Sequence, residues 1–318
     1  MLRNVCVAQG APVSTIGTIQ ADPAGQPNVT TGGNLNVRPE KSDSYTFGVV
    51  LQPTQLIPGF SVTVDYYNIK VKGAISSQTP DDAINACFGP SLSAASATSA
   101  ACTVIRRNPA TGNLYGDSAT TPGLFSPLSN LGQIKTDGID LGINYRRDIG
   151  FAKMALSFQG NWTHDSKFQA TPTSINRECT GYYSVSCASI QPEFYWNTRA
   201  TFTFADSVDV SLMWRHIDGV KQEPYDVTDG SGPAFAGTFG GDTVNFGRIK
   251  AHDYFDLTTR IAVAENFDFT VTVQNLLDKE PPIVGSTVGS TSYNSGNTYP
   301  STYDALGRRF AVGARLHF

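Results

Sequence analysis

At 318 residues the chain can bury a large core, yet its hydrophobic content of 40% and mean hydropathy of −0.18 leave no run near the ~18 apolar residues of a membrane helix. Charged residues, at 16%, are scarce beside the ~25% usual in soluble domains, whereas Gly (30), Phe (18) and Tyr (13) are plentiful. A net charge of −4 and a pI near 5.5 argue against a nucleic-acid partner, because phosphate binding relies on a basic surface.

Met1 to Gly10 contains one arginine and no apolar stretch of about seven residues, so it does not read as a secretory signal. Residues 8–36, rich in Gly, Pro, Ala and Thr without periodicity, read as loop. A period of two then begins. Tyr45, Phe47, Val49 and Leu51 share one face of a first strand, and after a turn at Pro53 to Pro58 a second places Phe60, Val62, Val64 and Tyr66 opposite Ser61, Thr63, Asp65 and Tyr67. Its continuation to Ile75 exceeds the ~9–11 residues of a membrane-spanning strand, so it is expected to project beyond lipid.

A long excursion covers residues 76–130. Thr79 is placed to cap a short helix with Pro80 at its first position and Asp81 and Asp82 in its first turn, ending near Phe88; the acidic pair reads as helix-start chemistry and not as a catalytic dyad. Further on, NPATG suggests a hairpin between Thr103–Arg107 and Asn113–Gly116, with Arg106 and Arg107 on its solvated surface.

The third strand alternates Ile139, Leu141, Ile143 and Tyr145 with Asp140, Gly142, Asn144 and Arg146, and the fourth returns with Met154, Leu156, Phe158 and Trp162 on its apolar side. Phe194, Trp196, Ala200, Phe202 and Phe204 define a fifth, Val208, Val210, Leu212 and Trp214 a sixth. Phe255, Leu257, Ile261 and Val263, then Phe267, Phe269, Val271 and Val273, give the seventh and eighth. The chain closes on GRRFAVGARLHF, in which Phe310, Val312, Ala314, Leu316 and Phe318 oppose Arg309, Ala311, Gly313, Arg315 and His317.

These nine strands are joined alternately by very short and very long connections, all the short ones on the rim where the carboxyl terminus ends. Such sorting by parity is the habit of a transmembrane barrel, with tight turns on one rim and long loops on the other. Nine is odd, whereas bacterial single-chain barrels have even strand numbers; the nine are therefore expected to be the closing part of a larger barrel, with missing strands upstream. Cys87 with Cys102 and Cys179 with Cys187 bracket two of the long loops and read as local disulfides of an oxidising compartment, with free loop thiols as the alternative, leaving Cys6 with a partner expected upstream.

LNVRPEKSDSYTFGV (Leu35 to Val49), DYYNIKVKGAI (Asp65 to Ile75), GQIKTDGIDLGINYR (Gly132 to Arg146), VQNLLDKEPP (Val273 to Pro282) and the ending YDALGRRFAVGARLHF (Tyr303 to Phe318) together resemble the carboxy-terminal barrel of TonB-dependent receptors of the Gram-negative outer membrane. The resemblance implies an all-β, antiparallel transmembrane barrel of about 22 strands around a plug, of which this chain supplies a part. It divides the chain into a leader at 1–41 without plug or signal and a barrel segment at 42–318. It implies uptake of a scarce nutrient such as a siderophore, vitamin or oligosaccharide, with the segment not transport-competent alone. TonB would engage only through the missing plug region. Partners would be outer-membrane lipid and the barrel assembly machinery, which would read the terminal strand from Phe310 to Phe318. A self-contained porin-like or adhesin barrel is the alternative, and a soluble secreted β protein a third.

No nucleophile, paired acid or phosphate loop points to an enzyme, and no cofactor is expected. His164, His216, His252 and His317 lack ligand spacing and read as rim or lumen polarity, while DVTDGSG (Asp226 to Gly232) lacks the glutamate of a calcium loop. Tyr182, Tyr183, Tyr225, Phe235, Phe239, Tyr293 and Tyr299, on long loops, are candidates to stack on a sugar or siderophore ring, against loop packing as the plainer role. Arg199, Arg215, Arg260, Arg309 and Arg315 are expected on the polar face, paired with Asp140, Asp209, Asp256 and Asp268 as the ordinary reading, against contact with the missing plug or a ligand; Trp162, Trp196 and Trp214 are expected in an interfacial girdle.

Overall fold

The computed structural model describes residues 1–21, 26–89, 92–183, 187, 190–223, 236–239, 242–245, 247–284 and 297–317. The alternating segments form β1 (Lys41–Leu51), β2 (Phe60–Ser76), β3 (Ser129–Asp148), β4 (Lys153–Gln169), β5 (Phe194–Phe204), β6 (Val208–Ile217), β7 (His252–Ala264), β8 (Phe267–Gln274) and β9 (Arg309–Leu316). Each lies beside its sequence neighbours in one sheet, ordered β1 to β9, and a two-residue strand, Arg177–Glu178, pairs with β4 as a tenth. β2, β3 and β4, at 17, 20 and 17 residues, exceed the ~9–11 needed to cross a membrane.

Turn chemistry fixes the short connections. Between β5 and β6, Ala205 and Asp206 take positive φ (47° and 55°), the backbone that matches strand twist in tight hairpins, and Ser207 N–H donates to the Phe204 carbonyl at 3.1 Å. Gly59, at φ +80°, opens β2 with its carbonyl accepting from Arg146 N–H at 2.9 Å; a Cβ at this position would collide with the Arg146 backbone.

Two compact units partition the contacts. One comprises residues 1–43, 70–135 and 167–177. Its α1 (Leu2–Ala8), α2 (Pro80–Phe88) and α3 (Ala100–Thr103) accompany a small sheet in which Val29–Gly32 runs parallel to Gly123–Pro127, itself antiparallel to Ile105–Arg106. Val5, Ala83, Ile105, Leu124 and the Cys87–Cys102 disulfide form its core. α2 starts as its sequence dictates, with Thr79 accepting from Asp82 N–H at 3.1 Å and Pro80 at the first position.

Three expectations in this unit need correction. Residues 8–36 are not all loop, since they hold the strand Val29–Gly32 and a 3-10 turn at Val13–Thr15. NPATG closes a turn, but Ile105–Arg106 pairs with Gly123–Leu124 and not with Asn113–Gly116, because the apolar Ile105 is buried against Leu124. Asp82 does more than start a helix. It is 2% exposed and bonds the Arg177 guanidinium at 2.9 Å, a buried pair that joins segments far apart in sequence.

The second unit comprises residues 44–69, 136–166 and 178–318. Besides its strands it holds a buried cluster of Tyr183, Ile190, Val220, Ile249, Tyr254, Val284, Tyr299 and Tyr303, and the Cys179–Cys187 disulfide. Tyr182–Tyr183 runs parallel to Val220–Gln222, which is antiparallel to Arg248–Ile249, so the connection between β4 and β5 is tied to both ends of the one between β6 and β7.

Removing one partner of a buried ion pair strands the other, at a cost of about 3–5 kcal/mol, while loss of a helix cap costs about 1 kcal/mol. Asp82→Ala should therefore lower the urea midpoint at which residues 80–107 become protease-sensitive well below that of Thr79→Ala. Equal midpoints would show that the Asp82–Arg177 pair contributes little.

Candidate functional site

Register sorts the side chains of the sheet into two chemically distinct faces. On one, Phe204, Val208, Ile261, Phe269 and Ala314 lie in successive strands, as do Phe202, Val210, Thr259, Val271 and Val312 in the next row. Among the described residues this face stays open: Val312 is 67% exposed, and Val263 and Phe310, further along the same faces of β7 and β9, are 61% and 71% exposed. Higher on the same face the aromatics touch in series, with ring centroids 5.6 Å apart for Phe158–Trp196, 4.6 Å for Trp196–Trp214 and 5.4 Å for Trp214–Phe255. Within this series Trp214 Nε1 donates to Asp253 at 2.7 Å, and outside it Trp162 Nε1 donates to Glu193 at 3.2 Å.

The opposite face is a ladder of charge-assisted bonds. Arg215 makes a fork on Asp256 (2.9 and 3.1 Å), and Arg260 bridges Asp209 (3.0 Å) and Asp268 (2.7 Å) across three strands. His317 lies 3.5 Å from Asp268, and Arg309 donates to Gln274 (3.1 Å) and Asp304 (3.0 Å). Arg199 donates instead to Ser211 at 3.0 Å, Arg315 stands opposite Asp268 in register, and Asp140 accepts from Asn161 at 2.7 Å. Three of the four aspartates are thus held by arginine, and Asp140 by an amide.

The aromatic candidates of the long connections separate. Tyr183 and Tyr299 are fully buried, their centroids 6.0 Å apart in edge contact, so both rings pack in the tyrosine cluster and offer no face to a stacking ligand. Tyr182 is half-buried in its short strand. Phe239 ends the strand Ala236–Phe239; Tyr225, Phe235, Tyr293 and Phe318, together with the DVTDGSG segment, lie outside the described residues. Phe310, Val312, Ala314 and Leu316 do occupy one exposed apolar face of β9.

His164 Nδ1 sits 3.2 Å from Asp137 and 4.0 Å from Asp165, while His216 Nδ1 contacts Asp253 at 2.8 Å. His252 Nδ1 meets the Lys250 carbonyl at 2.9 Å. The histidines thus pair locally with carboxylates or backbone. A group that sequence reading missed lies in the first unit: a cavity of about 590 Å³ whose wall includes Gln9, Arg106, Arg107, Pro109, Thr120 and Pro122. Its residues come from three separated segments, and only the fold collects them.

Residues 8–276 match the family model described as TonB dependent receptor-like, beta-barrel. No curated protein matches the chain. Among solved structures, the chain is similar to the ferric enterobactin receptor PfeA of Pseudomonas aeruginosa in complex with enterobactin (15% identity, TM-score 0.57). It is also similar to the siderophore receptor PirA of Acinetobacter baumannii (13%, 0.54) and the FrpB iron transporter of Neisseria meningitidis (11%, 0.51). Each alignment covers 91% of this chain but 33% of the other, so the chain spans about a third of the length of these receptors. At such identities the likeness is one of fold, and the sheet is an antiparallel part of a β-barrel.

Burial raises the phenol pKa of Tyr183 and of Tyr303, and that of Tyr299 as well, above the ordinary value of about 10. A raised folded-state pKa stabilises the protonated cluster fully below pH ~10, and this contribution is lost as pH rises toward the folded value. Spectrophotometric titration should show a late-ionising class of tyrosines that shrinks in both Tyr183→Phe and Tyr303→Phe. Tyr303→Phe should not weaken the fold, since the buried Tyr303 hydroxyl has no hydrogen-bond partner among the described residues. Ionisation of every tyrosine near pH 10 in the folded protein would contradict this packing.

Proposed function

The chain belongs to the TonB-dependent receptor-like β-barrel family, and from that premise we propose that it is wall and loop of an outer-membrane receptor importing a scarce nutrient, with a ferric siderophore as the preferred substrate class. The observation that carries this reading is the two-faced sheet. Apolar side chains stay uncovered on one face, while arginine and aspartate interlock on the other. Hydrocarbon against the first face and a polar interior against the second is the arrangement in which neither is penalised. The linked aromatics from Phe158 to Phe255, with the Trp214 indole N–H reaching Asp253, suit the boundary between lipid and headgroups.

In this role the arginine–aspartate ladder fixes neighbouring strands and cancels charge, so that the interior wall offers hydrogen bonds without a strong field toward an anionic or cationic cargo. The sheet order begins at β1 and ends at β9, and their outer edges carry no strand partner among the described residues. Unpaired backbone groups in hydrocarbon cost several kcal/mol each, so a barrel in lipid needs further strands to cover these edges. Transport would also need a plug to receive energy from TonB, and the terminal strand would serve barrel assembly. The siderophore and iron substrates named for PfeA, PirA and FrpB support the preferred substrate class.

Accumulation of radiolabelled iron from a ferric siderophore by cells producing the receptor should require both the receptor and TonB; uptake undiminished by loss of either would overturn the proposal. Sidedness is testable separately. Val271→Arg, on the apolar face, should cost about 2–4 kcal/mol near mid-bilayer and reduce outer-membrane levels, whereas Thr272→Arg on the polar face should be tolerated. Equal tolerance of the two would mean that lipid does not meet the apolar face.

A further inference from the structure

The cavity of the first unit differs in kind from the interlocked polar face of the sheet. Among the described residues no carboxylate belongs to its wall, which holds two adjacent arginines. Arg106 is exposed and lies with its guanidinium carbon 4.0 Å over the Phe125 ring, a contact that holds the planar group without using its N–H donors. Arg107 is half-buried. Its Nε donates to Gln9 Oε1 at 2.9 Å and its Nη1 to the Gly112 carbonyl at 3.1 Å, while its backbone N–H donates to the Gln9 carbonyl at 2.8 Å. Gln9 is itself 6% exposed, its amide directed at Cys87 Sγ (3.4 Å) and the Cys102 carbonyl (3.5 Å), so the disulfide end of the unit anchors the arginine.

Both partners of Arg107 are neutral, and neither arginine forms an ion pair among the described residues. Burial draws the Arg107 pKa down, opposed in part by the Cys6 thiol, which marks a cation short of solvent and of counter-charge. The surrounding field has the same sign. The first unit contains ten Lys and Arg against six Asp and Glu, a net of +4, within a chain whose total is −4. The remaining wall, with Pro109, Pro122 and Thr120, is rigid and weakly polar, and the volume falls in the range of small-molecule sites.

We propose that this cavity binds a small polyanion, in the receptor context a negatively charged metal chelate, with Arg106 and Arg107 as the charge-recognising residues. Arg107 would be the fixed element, already desolvated and oriented by Gln9, and Arg106 the adjustable one. The ligand class deepens the receptor reading and rests on it only for biological meaning; the anion site itself rests on the cavity.

The full chain in detergent, with the Cys87–Cys102 bond verified by mass, is titrated with a ferric tris-catecholate, a trianion, and with an uncharged ferric tris-hydroxamate of similar size. The trianion should bind and the uncharged chelate should bind at least tenfold more weakly. Arg107→Gln and Arg106→Gln should each weaken trianion binding about tenfold or more, Arg107→Lys should restore part of it, and added salt should weaken it further. Arg106 is exposed, so its variant retains the fold even if Arg107→Gln disturbs the Gln9 clasp. Equal binding of the two chelates, no trianion binding by the wild type, or wild-type affinity in Arg106→Gln would each overturn the site. Such results would leave TonB-dependent uptake untouched, whereas trianion binding without any uptake would sink the receptor role and spare the site.

Discussion

Register across β6, β7 and β8 is the constraint on which the rest depends. Because successive side chains of a strand point to opposite faces, a slip of one residue would turn Arg260 to the apolar side and bring Ile261 among charges. The bridge from Asp209 through Arg260 to Asp268 spans three strands and opposes that slip, and the alignment of Val208, Ile261 and Phe269 opposes it from the other face. Polar pairing and apolar alignment thus specify the same pairing twice. Each surface pair is weak alone, but a bridged set tied to backbone hydrogen bonding holds one arrangement.

The long connections solve a different problem. A segment such as 77–128 lies outside the sheet of β1 to β9, so it builds its own small core and secures it covalently. Cys87 and Cys102 join α2 to α3, and the Asp82–Arg177 pair carries a buried carboxylate that only its guanidinium partner makes tolerable. In the second unit, tyrosines play the comparable part: Tyr183, Tyr299 and Tyr303 fill space that aliphatic residues would fill in a larger core, at the cost of burying hydroxyls. Loop aromatics can therefore be structural where their number invites a binding role.

These two kinds of structure leave a functional asymmetry. Within the sheet, opposite charges meet and cancel, whereas beside Gln9 two cations converge on a cavity with no acid in its wall among the described residues. A cargo-facing surface needs unspent donors, and a wall that must only stand does not. The net charges of +4 for the first unit and −4 for the whole chain follow the same division.

Periodicity alone determined much of the molecule. Nine alternating segments, their faces, the cap at Thr79, the sorting of short and long connections and the family resemblance were all legible, because a strand between unlike media must repeat every two residues and a helix start needs an acceptor at a set distance. What the sequence could not decide is whatever joins distant segments without a repeat. Whether Tyr183 stacks on a ligand or on Tyr299, whether Asp82 caps a helix or also meets Arg177, and whether Arg107 faces solvent or Gln9 depend on which loops come together. That outcome is set by burial and counter-charge in three dimensions, quantities that no local pattern encodes.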